Sequence, residues 1–305
     1  MEHRSAPDVT EIDRLPELAW TTDMAGAVTR RAAETTGLVA GPVIVGTIDA
    51  AAEAISVGVL DVGEMMLMYG STVFTILVAG ERNRDQRLWH APWLFRGMQA
   101  CMAGLAISGT LTHWFVDQFA RDLDPETAMA RLAADAAASP PGANGLVVLP
   151  YFSGERTPIH DPHAKGVVLG LTLAHTRADV YRAIIEGIAF ATNDILETYD
   201  ASAGAPRSIR AVGGGLRNPL WVQATSDVSG RTQEVRKIGF GASYGDAFLA
   251  ALAIGDVTRE AIEGWNPPAS RIEPDPTTRE TYRLRYAVFR ELYPRTRDLM
   301  ARLES

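Results

Sequence analysis

The stretch that decides the fold is residues 166–187, "GVVLGLTLAHTRADVYRAIIEG". Apolar residues recur at helical spacing after Thr176, and the pattern continues as far as Ser202. Thr176 is a candidate N-cap, because a threonine oxygen can accept a hydrogen bond from a free amide of the first helical turn. The sequence therefore predicts one long amphipathic helix that begins after Thr176.

Strand patterns stand on both sides of this helix. "VIVGTID" (43–49) predicts a buried strand, and "EMMLMYGSTVFTILVAG" (64–80) predicts two strands joined at residues 70–72. "LVVLPYF" (146–152) and "SIRAV" (208–212) predict two more, and a further short one is expected in "QEVRK", residues 233–237.

Helical patterns alternate with these strands. They cover residues 26–38 with Gly37 as C-cap, 97–123, 125–139, 218–230, 241–255 and 277–305. Strands that alternate with helices indicate an α/β layered fold.

Composition narrows the class of protein. The 305 residues carry 29 Lys and Arg against 37 Asp and Glu, a net charge of −8, with no concentrated basic stripe, so a nucleic-acid partner is disfavoured. No run approaches the roughly 18 apolar residues of a membrane span. The single cysteine, Cys101, excludes an intrachain disulfide, and residues 1–20 lack the apolar segment of a signal peptide. We expect a cytoplasmic, globular protein without a membrane partner.

Asp49 is the candidate catalytic residue. It ends the apolar run of residues 43–48 and is followed by the small residues Ala50, Ala51 and Ala52. A carboxylate in this position is either a cap or turn residue, or a general base at the end of a strand.

A second candidate is the glycine turn between the strand at 208–212 and the next helix. Gly213, Gly214 and Gly215 let the backbone approach a ligand closely, because glycine has no Cβ, and Asn218 suits the helix N-cap. A plain tight turn is the alternative. A dinucleotide-binding turn is disfavoured, because Asn218 occupies its third glycine position and no acidic residue ends the next strand.

A third candidate is the turn formed by Gly70, Ser71 and Thr72. Its amides and hydroxyls could hold an anion, although small polar residues also make ordinary hairpins. The chain has no Gly-x-x-x-x-Gly-Lys-Ser/Thr sequence, which excludes a P-loop of that type.

Other polar residues give weaker signals. His160, Asp161 and His163 lie in a proline-bearing loop, a pattern more typical of a surface than of a metal site, and we expect no metal ligands in the chain. The role of Glu186 is left open: it could support a site residue, cap the helix or simply be solvated. His113 and the nearby Trp and Met residues are interpreted mainly as core packing.

Taken together, these motifs resemble the C-terminal half of the FGGY family of carbohydrate kinases, most closely its xylulokinase-like members. The residues of 166–187 that keep the spacing of that family's C-terminal signature are Gly166, Gly170, Leu171, Asp179, Val180, Ala183, Ile184, Ile185 and Glu186. "VIVGTIDAAAEA" (43–54), "SGERTP" (153–158), "VGGGLRNPLW" (212–221) and "GASYGDAFLA" (241–250) follow in the family's order. The resemblance extends from about Leu15 to about Asp256.

The resemblance implies an actin-like, ribonuclease H-like α/β fold whose two lobes close around ATP and a sugar, with Mg²⁺ on the phosphates. By the same resemblance Asp49 is the general base. The expected nucleotide-binding residues are Gly70, Ser71 and Thr72 near the transferred phosphate, Gly213, Gly214, Gly215 and Asn218 at the adenosine, and Gly241 and Ala242 packed around the nucleotide.

The sequence departs from the family at its beginning. Members carry an N-terminal lobe with an Asp-x-Gly-Thr phosphate loop and most sugar contacts, whereas residues 1–40 here resemble only the end of that lobe. Residues 41–305 are expected to form the C-terminal actin-like domain.

Three functions are left open. The first is a pentulose kinase lobe that acts with a separate N-terminal lobe or in a homo-oligomer. The second is a non-catalytic nucleotide-binding or regulatory lobe, and the third is an inactive fragment. In the first case we expect an exposed apolar face where the other lobe packs.

Overall fold

The computed structural model describes Arg14 and residues 16–303. Residues 1–13 and Leu15 of the expected N-terminal segment lie outside the described residues, as do residues 304–305 of the predicted tail helix.

The described strands, in chain order, are β1 (Met24–Ala27), β2 (Pro42–Ile44), β3 (Glu64–Tyr69), β4 (Val73–Ala79), β5 (Trp89–Pro92), β6 (Gln99–Gly104), β7 (Val147–Leu149), β8 (Val167–Leu169), β9 (Ser208–Val212), β10 (Gln233–Arg236) and β11 (Pro268–Ile272). The described α-helices are α1 (Arg30–Thr36), α2 (Asp49–Ser56), α3 (Gly109–Phe119), α4 (Ala128–Ala138), α5 (Arg177–Ser202), α6 (Pro219–Ser229), α7 (Ala242–Ala253), α8 (Ile262–Trp265) and α9 (Arg279–Arg302).

The central sheet has seven strands in the order β11-β10-β9-β3-β4-β6-β5. β9 runs parallel to both β3 and β10, whereas the other neighbouring pairs are antiparallel. β1 and β2 form a separate antiparallel ribbon, and β7 pairs with β8 in another.

Side chains of β3 alternate between two hydrophobic layers. Met65, Leu67 and Tyr69 belong to the layer that includes α5, α6 and α9, and Met66 belongs to the layer that includes α2 and α7. Successive side chains of a strand point to opposite faces of its sheet, so a strand that is covered on both faces is apolar throughout. The helices on both faces confirm the predicted α/β layered fold.

Helix α5 confirms the long helix expected after Thr176. The Thr176 hydroxyl accepts a hydrogen bond from the Asp179 amide at 3.3 Å, and the Asp179 carboxylate accepts one from the Thr176 amide at 2.8 Å. This reciprocal pair is a capping box. Most residues of α5 are buried, because α4, α6 and β7 pack around it.

The predicted buried strand at 43–49 is wrong. Only Pro42–Ile44 forms a strand, and this strand pairs with β1. Val43 and Val45 are 41% and 45% exposed, so the run is not buried. Both edges of β3 are occupied by β4 and β9, so this run forms the outer ribbon instead. Asp49 consequently begins α2 and does not end a strand.

The helix predicted over 97–123 is wrong in its first half. Residues 99–104 form β6, which pairs with β4 and β5, and only 109–119 are helical. An apolar run of small residues fits either state, and pairing with the neighbouring strands decides between them. His113 is exposed and not part of the core, whereas Trp93 is buried and Trp114 is 38% exposed.

The expected boundary after residue 40 falls in the connection between β1 and β2. The division into residues 1–40 and 41–305 stays a prediction. None of the helices between residues 16 and 303 has the length and apolar content needed to cross a membrane.

Helix α7 packs on α2 with direct backbone contact. A Cβ built at Gly245 in α7 would overlap the carbonyl oxygen of Ala52 in α2 and would lie 3.1 Å from the Ser56 amide nitrogen. Any side chain at residue 245 would therefore push the two helices apart.

We expect Gly245→Ala to lower the free energy of unfolding by about 2–3 kcal/mol, because overpacked backbone contacts must separate. Urea unfolding followed by circular dichroism measures this change. Gly264→Ala in α8 is the matched control, since no heavy atom lies within 4 Å of its Cβ position. The control should shift stability by less than about 1 kcal/mol. Equal effects of the two substitutions would contradict the packing argument.

Candidate active site

A cleft of about 350 Å³ lies between α2, the turn after β9 and the segment that leads into α7. Its lining includes Glu53, the glycines Gly213, Gly214 and Gly239, the apolar residues Val57, Ala211, Val212, Leu216, Val235 and Ile238, and the cations Arg217 and Arg236. A concave site that combines apolar walls with a few polar groups is the usual form of a small-molecule site.

The glycine turn after β9 sits against the end of β3. Gly213 has φ +105°, and a Cβ there would lie 2.5 Å from the Tyr69 carbonyl oxygen, so only glycine fits. After a short 3₁₀ turn, the Asn218 side chain accepts a hydrogen bond from the Trp221 amide and caps α6, as expected. This contact brings Gly213 next to the β3–β4 turn.

The β3–β4 turn is held from its other side by the start of α3. The Ser71 carbonyl accepts hydrogen bonds from the amides of Ser108 at 2.9 Å and Thr110 at 3.2 Å, and the Gly70 carbonyl accepts one from Gly109 at 3.1 Å. Ser71 is exposed, and the Thr72 carbonyl accepts from the Gly70 amide.

Residues 108–110 were missed at the sequence level, because the whole stretch around them was predicted as one helix. The Ser-Gly-Thr break within that stretch is the signal that could have marked a helix start there.

Asp49 and Glu53 lie one turn apart on α2. The Asp49 side chain is exposed and accepts a hydrogen bond from the Ala50 amide at 2.7 Å. Burial raises the pKa of Glu53, and the negative charge of Asp49 raises it further. Residues at positions i and i+4 share one face of a helix. Because Glu53 lines the cleft, Asp49 on the same face of α2 is expected near the edge of the cleft. Glu53 was not singled out from the sequence. Its spacing of four residues from Asp49, which puts both side chains on one helix face, is the signal that could have identified it.

Gly241 and Ala242 lie at the start of α7, next to Glu53. A Cβ built at Gly241 would lie 3.1 Å from Glu53 Oε2, and Ala242 is the first residue of the helix. Gly241 thus contacts Glu53, and Gly213 contacts Tyr69, the residue before Gly70. Glu53, Gly213 and Gly214 line the same cleft.

Other residues considered from the sequence lie elsewhere. His160 contacts the Arg87 carbonyl, and Asp161 accepts from the Tyr293 hydroxyl. Within the described ranges no group of three or more His, Cys, Asp and Glu side chains could hold a metal ion. Glu186 is buried and accepts hydrogen bonds from the Gly142 amide, Arg182 and the Tyr282 hydroxyl, so it is neither solvated nor a helix cap.

Glu155, in the "SGERTP" loop, is a buried acid that was not singled out from the sequence. Its side chain is buried, and Oε1 accepts hydrogen bonds at 2.7 Å from the amides of both Ala106 and Arg156. Its Oε2 is also buried and has no hydrogen-bond partner among residues 16–303. Burial raises the pKa of Glu155 to about 8 against the opposing effect of these amides.

Comparison with known proteins identifies the family. The model of the C-terminal domain of the FGGY family of carbohydrate kinases matches residues 65–254, more than half of the chain. The chain belongs to this family. The matched range contains the β3–β4 turn, the glycine turn and the start of α7, while Asp49 precedes it.

Xylulose kinases are among its relatives. The xylulose kinase of Escherichia coli K12 is 30% identical over 95% of the chain, and that of Bacillus subtilis 168 is 27% identical over 96%. These matches cover 60% and 59% of the relatives' own lengths, so the chain spans about three fifths of each.

Solved structures of FGGY kinases share the fold. Xylulose kinase from Rhodospirillum rubrum superposes with a TM-score of 0.86 at 32% identity, covering 94% of this chain and 58% of that one. Plasmodium falciparum glycerol kinase, solved with ADP, superposes with a TM-score of 0.81 at 21% identity, covering 93% and 57%. The fold is therefore that of the C-terminal part of actin-like FGGY sugar kinases.

The raised pKa of Glu155 makes stability depend on pH. An acid whose folded-state pKa lies above its unfolded value of 4.5 gives its full stability below pH 4.5 and loses it as pH rises through about 8. The charged or titratable neighbours are Arg156, which lowers this pKa, Asp194, which raises it, and Tyr151.

We expect the unfolding free energy of the unsubstituted chain to fall by about 2 kcal/mol more between pH 6 and pH 9 than that of Glu155→Gln. The amide keeps the acceptor oxygen for both backbone amides but cannot ionise. Urea unfolding of both proteins at the two pH values measures the difference. Parallel pH profiles would show that Glu155 does not titrate in this range.

Proposed function

We propose that this chain is the nucleotide-binding lobe of an ATP-dependent sugar kinase that phosphorylates a hydroxyl of a pentulose such as xylulose. One observation carries the proposal: the glycine turn of residues 213–214 faces Glu53 across the cleft, with Asp49 one turn away on the same helix. The names of the xylulose kinase relatives support the sugar class.

The nucleotide side of the cleft suits ATP. The bare backbone at Gly213 and Gly214 leaves room for close approach, and the exposed cation Arg217 lies beside it. Leu216, Val235 and Ile238 offer an apolar wall of the kind that an adenine ring packs against. The Plasmodium falciparum glycerol kinase, which shares this fold, was solved with ADP, and a nucleotide in this lobe is consistent with that structure.

Mg²⁺ fits the acidic side of the cleft. Glu53 lines the cleft and provides hard carboxylate oxygens, the ligand type that Mg²⁺ takes together with water and phosphate. Bound there, the ion would offset the repulsion between Glu53 and an anionic nucleotide, and it would neutralise charge on the transferred phosphoryl group.

Asp49 would act as the general base. Its exposed carboxylate would accept the proton of the sugar hydroxyl as that oxygen forms its bond to the γ-phosphorus, while the bond from the γ-phosphorus to the β,γ-bridging oxygen breaks and ADP leaves. The products are a sugar phosphate, ADP and a proton on Asp49.

The sugar and a second lobe would meet the chain on an apolar face next to Asp49. The exposed apolar residues of the ribbon region are Leu18, Met24, Leu38, Val39, Val43, Val45 and Ile48. All seven precede α2 in the sequence. Single exposed apolar residues are common, and a contiguous patch of them would indicate an interaction surface. We propose that residues 1–40 belong with this second lobe, that residues 41–305 form the catalytic C-terminal domain, and that the enzyme works in the cytoplasm.

Gly214→Ala tests the nucleotide site without disturbing the fold. Only the Arg217 side chain, at 3.8 Å, lies near its Cβ position. We expect Mg·ADP to bind about 10-fold more weakly to the variant, a loss of about 1.4 kcal/mol, in titration calorimetry. Gly264→Ala should bind like the unsubstituted chain. Unchanged ADP affinity of Gly214→Ala would argue against a phosphate or ribose at this turn.

Asp49→Asn tests the base. With a supplied FGGY N-terminal lobe and xylulose or ribulose, ADP release should fall at least about 100-fold, while Mg·ADP affinity stays within about threefold. Asp135→Asn on α4 removes the same charge from a half-buried carboxylate that pairs with Arg131, and it should keep full activity.

Two results would overturn the assignment. Retained turnover by Asp49→Asn excludes Asp49 as the base. ADP binding without turnover in every complemented mixture would instead favour a regulatory nucleotide-binding lobe.

A further inference from the structure

We propose that Glu155 is a positioning residue, which couples the "SGERTP" loop to the β3–β4 turn through the segment of residues 104–110. The proposal rests on the proposed function only where it treats residues 70–72 as the phosphate side of the site. The coupling between the loop and the turn depends only on hydrogen bonds within the chain.

Glu155 joins two segments that are far apart in sequence. Its Oε1 accepts from the Ala106 amide and from the amide of its own neighbour Arg156, both at 2.7 Å. A second bond runs alongside, from the Thr157 amide to the Gly104 carbonyl at 3.2 Å. The loop and the end of β6 are thus fastened together at residues 104 and 106.

The same segment holds the β3–β4 turn on its other side. The Leu105 amide donates to the Val73 carbonyl at 3.0 Å, and the bonds from Ser108, Gly109 and Thr110 to the Gly70 and Ser71 carbonyls follow. A Cβ at Gly109 would lie 2.5 Å from the Gly70 carbonyl oxygen, so the two backbones are in direct contact. Residues 104–110 therefore connect Glu155 to Ser71 through hydrogen bonds of the Ala106, Ser108 and Thr110 amides.

Burial explains why this link is costly to break. Glu155 is 3% exposed, and the Thr157 hydroxyl beside it is buried without a partner among the described residues. If Oε1 is removed, the amides of Ala106 and Arg156 lose their acceptor, the bond that ties the loop to Ala106 is gone, and segment 104–110 is free to shift. The raised pKa of Glu155 agrees with a neutral carboxyl group in this role near pH 7.

Hydrogen exchange of the full chain at neutral pH, read by mass spectrometry, tests the coupling. For Glu155→Ala we expect faster exchange by about 10-fold both in residues 104–110 and in residues 70–72. Glu155→Gln keeps the acceptor and should stay within about threefold of the unsubstituted chain. If the alanine variant does not fold, Glu155→Asp, whose side chain is one methylene shorter, replaces it in the test. We expect faster hydrogen exchange in both residues 104–110 and residues 70–72 of this variant.

Glu186→Gln is the matched control, since Glu186 is also a buried acid with a raised pKa but bonds to Gly142, Arg182 and Tyr282 instead. It should leave exchange at residues 70–72 unchanged. The proposal is overturned if Glu155→Ala loosens 104–110 alone, if the glutamine variant behaves like alanine, or if Glu186→Gln affects residues 70–72 equally.

Mg·ADP titration separates this inference from the proposed function. We expect about 10-fold weaker binding to Glu155→Ala and restoration by Glu155→Gln. If even the unsubstituted chain does not bind Mg·ADP, the proposed function fails, while the exchange data still decide the coupling.

Discussion

The parallel pairing of β3 with β9 is the constraint on which the rest of the structure depends. Its register runs from Glu64 opposite Ser208 to Met68 opposite Val212, so both strands end at the same edge of the sheet. The turn after β3 and the turn after β9 must therefore meet there, and ligands of open α/β sheets bind at the carboxyl ends of parallel strands. Gly213 makes the meeting possible, because its backbone touches the Tyr69 carbonyl.

The two faces of this sheet differ in function: one forms the larger core, and the other carries candidate site residues. On one face α5, fixed by its capping box and surrounded by α4, α6 and β7, forms a rigid core. On the other face α2 and α7 pack closely enough that residue 245 must be glycine, and this pair carries Asp49, Glu53 and Gly241. The cleft opens between the second face and the glycine turn, so small shifts of α2 would change the distance from Asp49 to the glycine turn.

Buried polar groups tie the site to its surroundings. The Tyr69 hydroxyl donates to Gln233 Oε1 at 2.6 Å, which links the end of β3 to β10 beneath the glycine turn. Glu155 acts on the opposite side of the β3–β4 turn through Ala106. Both links use side chains that water scarcely reaches, where an unpaired hydrogen-bonding group is costly, so each holds a loop in one position.

The sequence by itself determined the features that arise from local chemistry. These are the α5 cap at Thr176, the α6 cap at Asn218 and the β3–β4 turn at residues 70–72, since each depends on a short motif whose residues interact with near neighbours in the chain. The family follows from the order of several motifs along the chain. Only the tertiary structure decided that residues 43–45 form an exposed ribbon, that 99–104 are a strand, and that Glu53 and residues 108–110 join the candidate site. Those outcomes depend on which strand finds a free edge and which backbones touch across the sheet, and apolar periodicity alone carries no information about either.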